Sequence, residues 1–148
     1  MPFEDGDVNL HEFISILSLI DDLISTNSDC HVILGGDFNV DFCRDWIHTG
    51  LLKGFCDEIG LNPTIRQAAS TVDYTYNFDM KRFSILDHFI ISGILFDNCI
   101  SSVSVLHEID NLSDHDPIFL GLNIEVKHAE LRARIFTPRI SWVKASDK

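Results

Sequence analysis

The sequence predicts an α/β protein with an antiparallel part. Three observations carry this: an amphipathic helical repeat near the start, a short apolar run closed by two glycines, and alternating, β-branched stretches through the second half. The chain has 148 residues, enough for one domain with a real core. Its 45% hydrophobic and 23% charged content is ordinary for a globular protein, which argues against disorder.

Leu10, Phe13, Ile14, Leu17, Ile20, Leu23 and Ile24 recur at helical spacing and predict a helix over about 10–25, with Asn9 and Glu12 as a capping pair. His31-Val32-Ile33-Leu34 reads as a buried strand that ends in a turn at Gly35-Gly36. Leu51, Leu52, Phe55, Cys56 and Ile59 predict a second helix, stopped by Gly60 and Pro63. Val72–Phe78 alternates and is aromatic, so a strand is expected there. Asp79–Arg82 would turn the chain into a returning strand over Ile85–Ile91. Ser101–Leu106 and Pro117–Ile124 predict two further strands, separated by a polar loop at 110–116. From Lys127 the chain becomes basic and loses periodicity, which divides it into a domain over 1–126 and a linker or tail over 127–148.

Charge restricts the function classes. Eleven Lys and Arg stand against 23 Asp and Glu, a formal net charge of −12, which disfavours a standing DNA-binding module. An enzyme that meets phosphate through a bound cation stays open, because the cation inverts the local charge logic. The four cysteines are widely spaced without a C-x-x-C, so neither a zinc knuckle nor a disulfide framework is expected, and reduced, buried thiols are. The acidic N-terminus has no apolar core of a signal peptide, and no apolar run is long enough to span a membrane. The expected location is intracellular, nuclear or cytoplasmic.

Two clusters of polar residues sit where strands deliver side chains to a surface. In Gly35-Gly36-Asp37-Phe38-Asn39, Asp37 can orient or deprotonate a water and Asn39 can donate a hydrogen bond to it or to a phosphate oxygen. Gly, Asp and Asn are also plain turn formers, and alone that reading is the stronger. Asp37-x-Asn39-x-Asp41 resembles the opening of an EF-hand loop. Phe42 and His48 occupy the places of its glycine and closing glutamate, and the motif fails.

The second cluster is Ser113-Asp114-His115-Asp116-Pro117. Asp114 is a hard oxygen ligand suited to Mg²⁺, and His115 suits acid–base work on a phosphoryl group. Asp87 is a lone acid in an apolar strand, and a buried carboxylate needs a partner; orienting His115 would supply one. The alternative is a solvated loop, which remains tenable for Ser113 and Asp116. His88 is ambiguous, while His11, His31, His48, His107 and His128 read as surface or packing residues. No G-x-S-x-G elbow, P-loop or G-x-G-x-x-G is present.

Gly36-Asp37-Phe38-Asn39, Ser84-Ile85-Leu86-Asp87-His88 running to Ser92, and Ser113-Asp114-His115-Asp116-Pro117 together resemble the three C-terminal motifs of the endonuclease/exonuclease/phosphatase superfamily. The resemblance covers about residues 1–124. It implies a four-layer α/β sandwich, here N-terminally truncated, and a Mg²⁺ or Mn²⁺ ion at one end. By position it implies that Asp37 activates water with Asn39 beside it. Asp114 would help hold the metal, and His115 would bind the scissile phosphate with Asp87 behind. Thr75 matches a threonine of the family, with a structural role.

The inositol-phosphatase and bacterial abasic-site branches carry different residues before the Asp. The form here looks like the endonuclease of LINE-like (non-LTR) retrotransposons. Pro138-Arg139-Ile140-Ser141-Trp142-Val143-Lys144-Ala145 resembles the link to a reverse transcriptase. The implied substrate is DNA, held weakly, with no membrane partner. The family's early Asn, metal-binding Glu and Tyr have no counterpart in this sequence, so weak or absent activity is expected unless a separate N-terminal half supplies them. Two alternatives stand beside the nuclease: a non-catalytic remnant kept as an interaction module, and a related phosphoesterase.

Overall fold

The computed structural model of the chain describes residues 6–65, 72–78 and 80–125. In order these form α1 (Gly6–Thr26), β1 (Ile33–Asp37), α2 (Ile47–Ile59), β2 (Leu61–Pro63), β3 (Tyr76–Phe78), β4 (Arg82–Ser84), β5 (Asp87–Ser92), α3 (Gly93–Asn98), β6 (Ile100–Val105) and β7 (Ile118–Leu122). The expected tail at 127–148, with His128 and the segment 138–145, lies outside the described residues.

The central sheet runs β1-β5-β2, antiparallel throughout. Helices α1 and α2 cover one face. Phe13 and Leu17 from α1 and Leu52 and Cys56 from α2 meet Phe38, Val40, Leu61 and Ile90 in one buried cluster. The α1 stripe is narrower than its sequence spacing suggests, since Ile14 and Leu23 are exposed. The β6–β7 ribbon lies toward the other face of β5, where Val103 and Ile118 share a small cavity with Phe89 and Asp87. Alternation along β5 therefore sends His88 and Ile90 toward the helices, and Asp87 and Phe89 toward the ribbon.

Several expected boundaries move, each for a local reason. Helix α1 begins at Gly6, so Asn9 and Glu12 lie inside it rather than at its start. Strand β1 does not turn at Gly35-Gly36; it runs on to Asp37, pairing with β5 through Asp37↔Asp87. Gly35 is needed there because a Cβ would lie 2.7 Å from Phe89 Cε1, and Gly36 has φ of +145°, a region closed to other residues. Helix α2 ends as expected, with Gly60 left-handed and its N–H donating to the Cys56 carbonyl. Pro63 does not merely stop it, but sits in the edge strand β2, where its lack of an N–H is tolerated.

The hairpin also differs from expectation. β3 begins only at Tyr76 and pairs with β4 at Arg82–Ser84. The run over Ile85–Ile91 is not one returning strand. It breaks at Ile85-Leu86, where the chain leaves the hairpin for the central sheet, and β5 starts at Asp87. The short helix α3 after β5 carried no clear sequence signal. No cysteine is in a disulfide; Cys56 is buried, but Cys30 and Cys43 are exposed, so the expectation of buried thiols fails at two positions. Among the described residues no helix is long and apolar enough to cross a membrane.

Candidate active site

Strand pairing makes the first contact of the site. Asp37 closes β1 directly opposite Asp87, which opens β5, and residues opposite one another in a ladder project to the same face. After Asp37 the chain turns at Asn39, whose φ of 52° is left-handed, a conformation asparagine tolerates better than most residues. The turn brings Asn39 back onto its neighbour. Its backbone N–H donates to Asp37 Oδ1 at 2.7 Å and its amide Nδ2 to Oδ2 at 3.3 Å. Asn39 thus orients the carboxylate as well as flanking it.

The second contact is made by the 110–116 loop. His115 Nδ1 donates to Asp87 Oδ2 at 2.7 Å. This fixes the ring's orientation and leaves Nε2 as the nitrogen not engaged by Asp87. Burial works against protonation of His115. The hydrogen bond to Asp87 and the charges of Asp87, Asp37 and Asp114 outweigh it, raising the pKa above the ordinary 6.5. One imidazole therefore feels three carboxylates from three separate segments. That convergence defines the site.

Thr75 holds these segments together. Fully buried, its Oγ1 accepts from the N–H groups of Leu86 and Asp87 at 2.9 and 3.0 Å. Its own N–H donates to the Ser84 carbonyl, and its carbonyl accepts from the Asp116 N–H at 2.8 Å. The β4–β5 break and the His115 loop are thereby tied to one residue. The loop also locks itself: Ser113 Oγ accepts from the His115 N–H, and Asn111 Nδ2 donates to the His115 carbonyl and to Asp116 Oδ1. Ser113 and Asp116 are built into the loop's internal frame. Asp114 is exposed, and its carbonyl accepts from the Asn77 N–H.

The remaining histidines separate clearly. His88 is buried on the opposite face of β5, 2.6 Å from the Val40 carbonyl, and burial pulls its pKa below 6.5. It is a neutral core residue. His48 is buried and stacked on Phe13 at 4.4 Å, a packing role as expected. His107 is different. Its two ring nitrogens lie 2.7 Å from Asp116 Oδ2 and 2.9 Å from Asp73 Oδ1. The reading of His107 as a surface or packing residue missed this, because its partners stand at unrelated spacings that no sequence pattern marks.

The resemblance implies a divalent metal, which needs a set of donors around it. Among the described residues no group of three or more His, Cys, Asp or Glu side chains is placed to hold an ion. Asp114 alone is no cage, so these residues do not by themselves fit a bound Mg²⁺ or Mn²⁺.

No protein-family model matches the sequence, and no curated protein matches it. Solved structures do. The 3′ phosphatase NExo from Neisseria, bound to a product DNA hairpin, superposes with a TM-score of 0.64 at 17% identity over 79% of this chain and 54% of its own. An endonuclease/exonuclease/phosphatase family protein from Bacteroides thetaiotaomicron is a looser likeness, with a TM-score of 0.49 at 21% identity over 74% of this chain and 44% of its own. The first likeness shows the fold, an α/β sandwich. The chain spans about half the length of the solved structures it matches.

Proposed function

We propose that this chain is part of a phosphate-ester hydrolase acting on DNA, with Asp37, Asn39, Asp87, Asp114 and His115 as its working residues. The observation that carries the reading is the 2.7 Å Asp87–His115 hydrogen bond, with Asp37 and Asp114 acting on the same imidazole. His115, biased toward its cationic form and oriented by Asp87, donates from Nε2 to an oxygen of the incoming phosphate. Asp37, steadied by Asn39, orients a water for in-line attack and accepts its proton. The attack forms a P–O bond to the water oxygen and breaks the ester P–O bond in line with it, and the leaving alkoxide takes up a proton from solvent to depart as a hydroxyl.

Asp114 is the residue we assign to Mg²⁺ or Mn²⁺. Its further ligands would come from substrate oxygens or from parts of the fold outside the described residues, so no chemical step is assigned to the ion. Within this proposal, the Ser84–His88 motif and the segment 138–145 favour a LINE-like endonuclease over a phosphatase. The net charge of −12 favours transient contact with DNA over stable binding.

A second reading is favoured by the lack of a three-ligand metal group among the described residues: a non-catalytic interaction module on the same fold. The deciding experiment incubates the purified chain with supercoiled plasmid and with a 3′-phosphorylated oligonucleotide in Mg²⁺, Mn²⁺ or EDTA. We expect slow nicking of the plasmid, lost in EDTA and in both Asp37→Ala and His115→Ala. Removal of the 3′-phosphate without nicking would instead assign a phosphatase. A folded sample that does neither would overturn the hydrolase reading for this chain and leave the interaction module.

A further inference from the structure

His107 stands just past the end of β6, outside the cluster described above. Its Nδ1 faces Asp116 Oδ2 at 2.7 Å and its Nε2 faces Asp73 Oδ1 at 2.9 Å. The two carboxylates come from different segments. Asp73 belongs to the stretch leading into Thr75, and Asp116 closes the loop that carries Asp114 and His115. The ring also stacks against Tyr74, with centroids 4.4 Å apart and planes at 33°, and Tyr74 in turn packs on Phe83 of β4.

We infer that His107 is a positioning residue, a two-sided clamp that fastens the Asp114–His115 loop to the segment carrying Thr75. An ionised carboxylate can only accept, so both contacts are hydrogen bonds only if both ring nitrogens carry protons. The clamp is therefore closed on both sides as the imidazolium and on one side as the neutral ring. The hydrogen bonds to Asp116 and then Asp73 favour the closed form, raising the pKa from 6.5. Among the described residues, the charged groups facing the ring are acidic: Asp73 from the 72–75 segment, Asp116 from the loop, with Glu108 and Asp114 along the same groove and the Tyr74 phenol as the other titratable neighbour.

Only one side of the clamp bears directly on the site. Asp116 Oδ1 accepts from Asn111 Nδ2, which also reaches the His115 carbonyl, and the Asp116 N–H donates to the Thr75 carbonyl. Pulling Asp116 toward His107 thus loads the frame that sets the position of His115. That this matters for turnover rests on the hydrolase reading; the clamp itself does not.

Hydrogen exchange and imidazole NMR on the whole chain test it without an activity assay. The probes are the Asp116 and Asn77 amides, which bond the Thr75 and Asp114 carbonyls, with the Thr64 amide, which bonds the Phe89 carbonyl in the central sheet, as control. His107→Phe keeps a ring against Tyr74 but loses both donors. We expect protection at Asp116 and Asn77 to fall by about fivefold, the discount suiting a partly exposed pair, while Thr64 is unchanged. Asp73→Asn, which weakens one side only, should give a smaller fall, and His107→Gln should recover part of the loss. His107 should titrate above 6.5 in the parent chain. Unchanged protection at both amides in a folded His107→Phe, or a His107 midpoint at or below 6.5, would overturn the clamp. Because no substrate is involved, a failed hydrolase assay and a failed clamp are separate results.

Discussion

Asp87 and His88 are consecutive residues on opposite faces of β5, and they serve opposite parts of the molecule. Asp87 holds His115 by a 2.7 Å hydrogen bond, while His88 is buried against the Val40 carbonyl. Alternation along the strand gives one neighbour to the site and the other to the core.

The pH dependence follows with a definite sign. His115 has a raised pKa, so its pairing contributes stability fully below 6.5 and loses it as pH rises through the folded value. His88 has a lowered pKa, so its contribution is full above 6.5 and is lost as pH falls. Imidazole NMR titration should place His115 above 6.5 and His88 below it. Asp87→Asn should lower the His115 midpoint and leave the sense of the His88 shift unchanged; an unmoved His115 midpoint would show that Asp87 does not set it.

Thr75→Val should be costly for its size. It leaves the buried N–H groups of Leu86 and Asp87 without their shared acceptor, at about 1–3 kcal/mol for each unsatisfied group. Thr75→Ser keeps the oxygen and should lose much less. Urea denaturation of the two variants measures the difference, and equal losses would mean that the methyl group, not the hydroxyl, is what counts.

Gly35→Ala tests the close approach of β1 and β5. The new methyl would sit 2.7 Å from Phe89 Cε1, so one side chain or strand must shift, at about 1–3 kcal/mol. Phe89→Leu should relieve part of that strain, so the double variant should be more stable than the sum of the two single losses predicts. Thermal melts of the four proteins complete the cycle.

Thiol labelling separates the cysteines. Cys30 and Cys43 are exposed and should react with a maleimide in the native protein, whereas Cys56 should react only after unfolding. Mass spectrometry of chymotryptic fragments reads this directly. Native modification of Cys56 at the rate of Cys30 would mean that the α1–α2 core opens.

The sequence made some of this legible because the physical cost was local. A lone carboxylate in an apolar strand requires a partner, and Asp87 has one in His115, which the chain spacing alone does not bring near. Helices α1 and α2 were visible in their period, and Gly60 in its punctuation. Gly35-Gly36 misled because the signal for a turn is the same as the signal for a strand overlain by an aromatic ring. The break at Ile85-Leu86 was hidden because it depends on Thr75, eleven residues before Leu86 and with an ordinary local pattern. His107 was invisible for the same reason: its partners are 34 and 9 residues distant.

Thr75 also has a consequence for the order in which the molecule is made. The hairpin must close to bring Ser84 to its N–H, the central strand must arrive to meet its hydroxyl, and the late loop must fold back to its carbonyl. The last of these, which joins Thr75 to Asp116 across β4, β5, α3 and β6, is a non-local closure, the slow kind. A nascent or half-folded chain carries every acidic and imidazole group of the site in its sequence, but it has no means of aligning them. Reactive geometry would then be a late product of assembly, withheld until the rest of the molecule is in place.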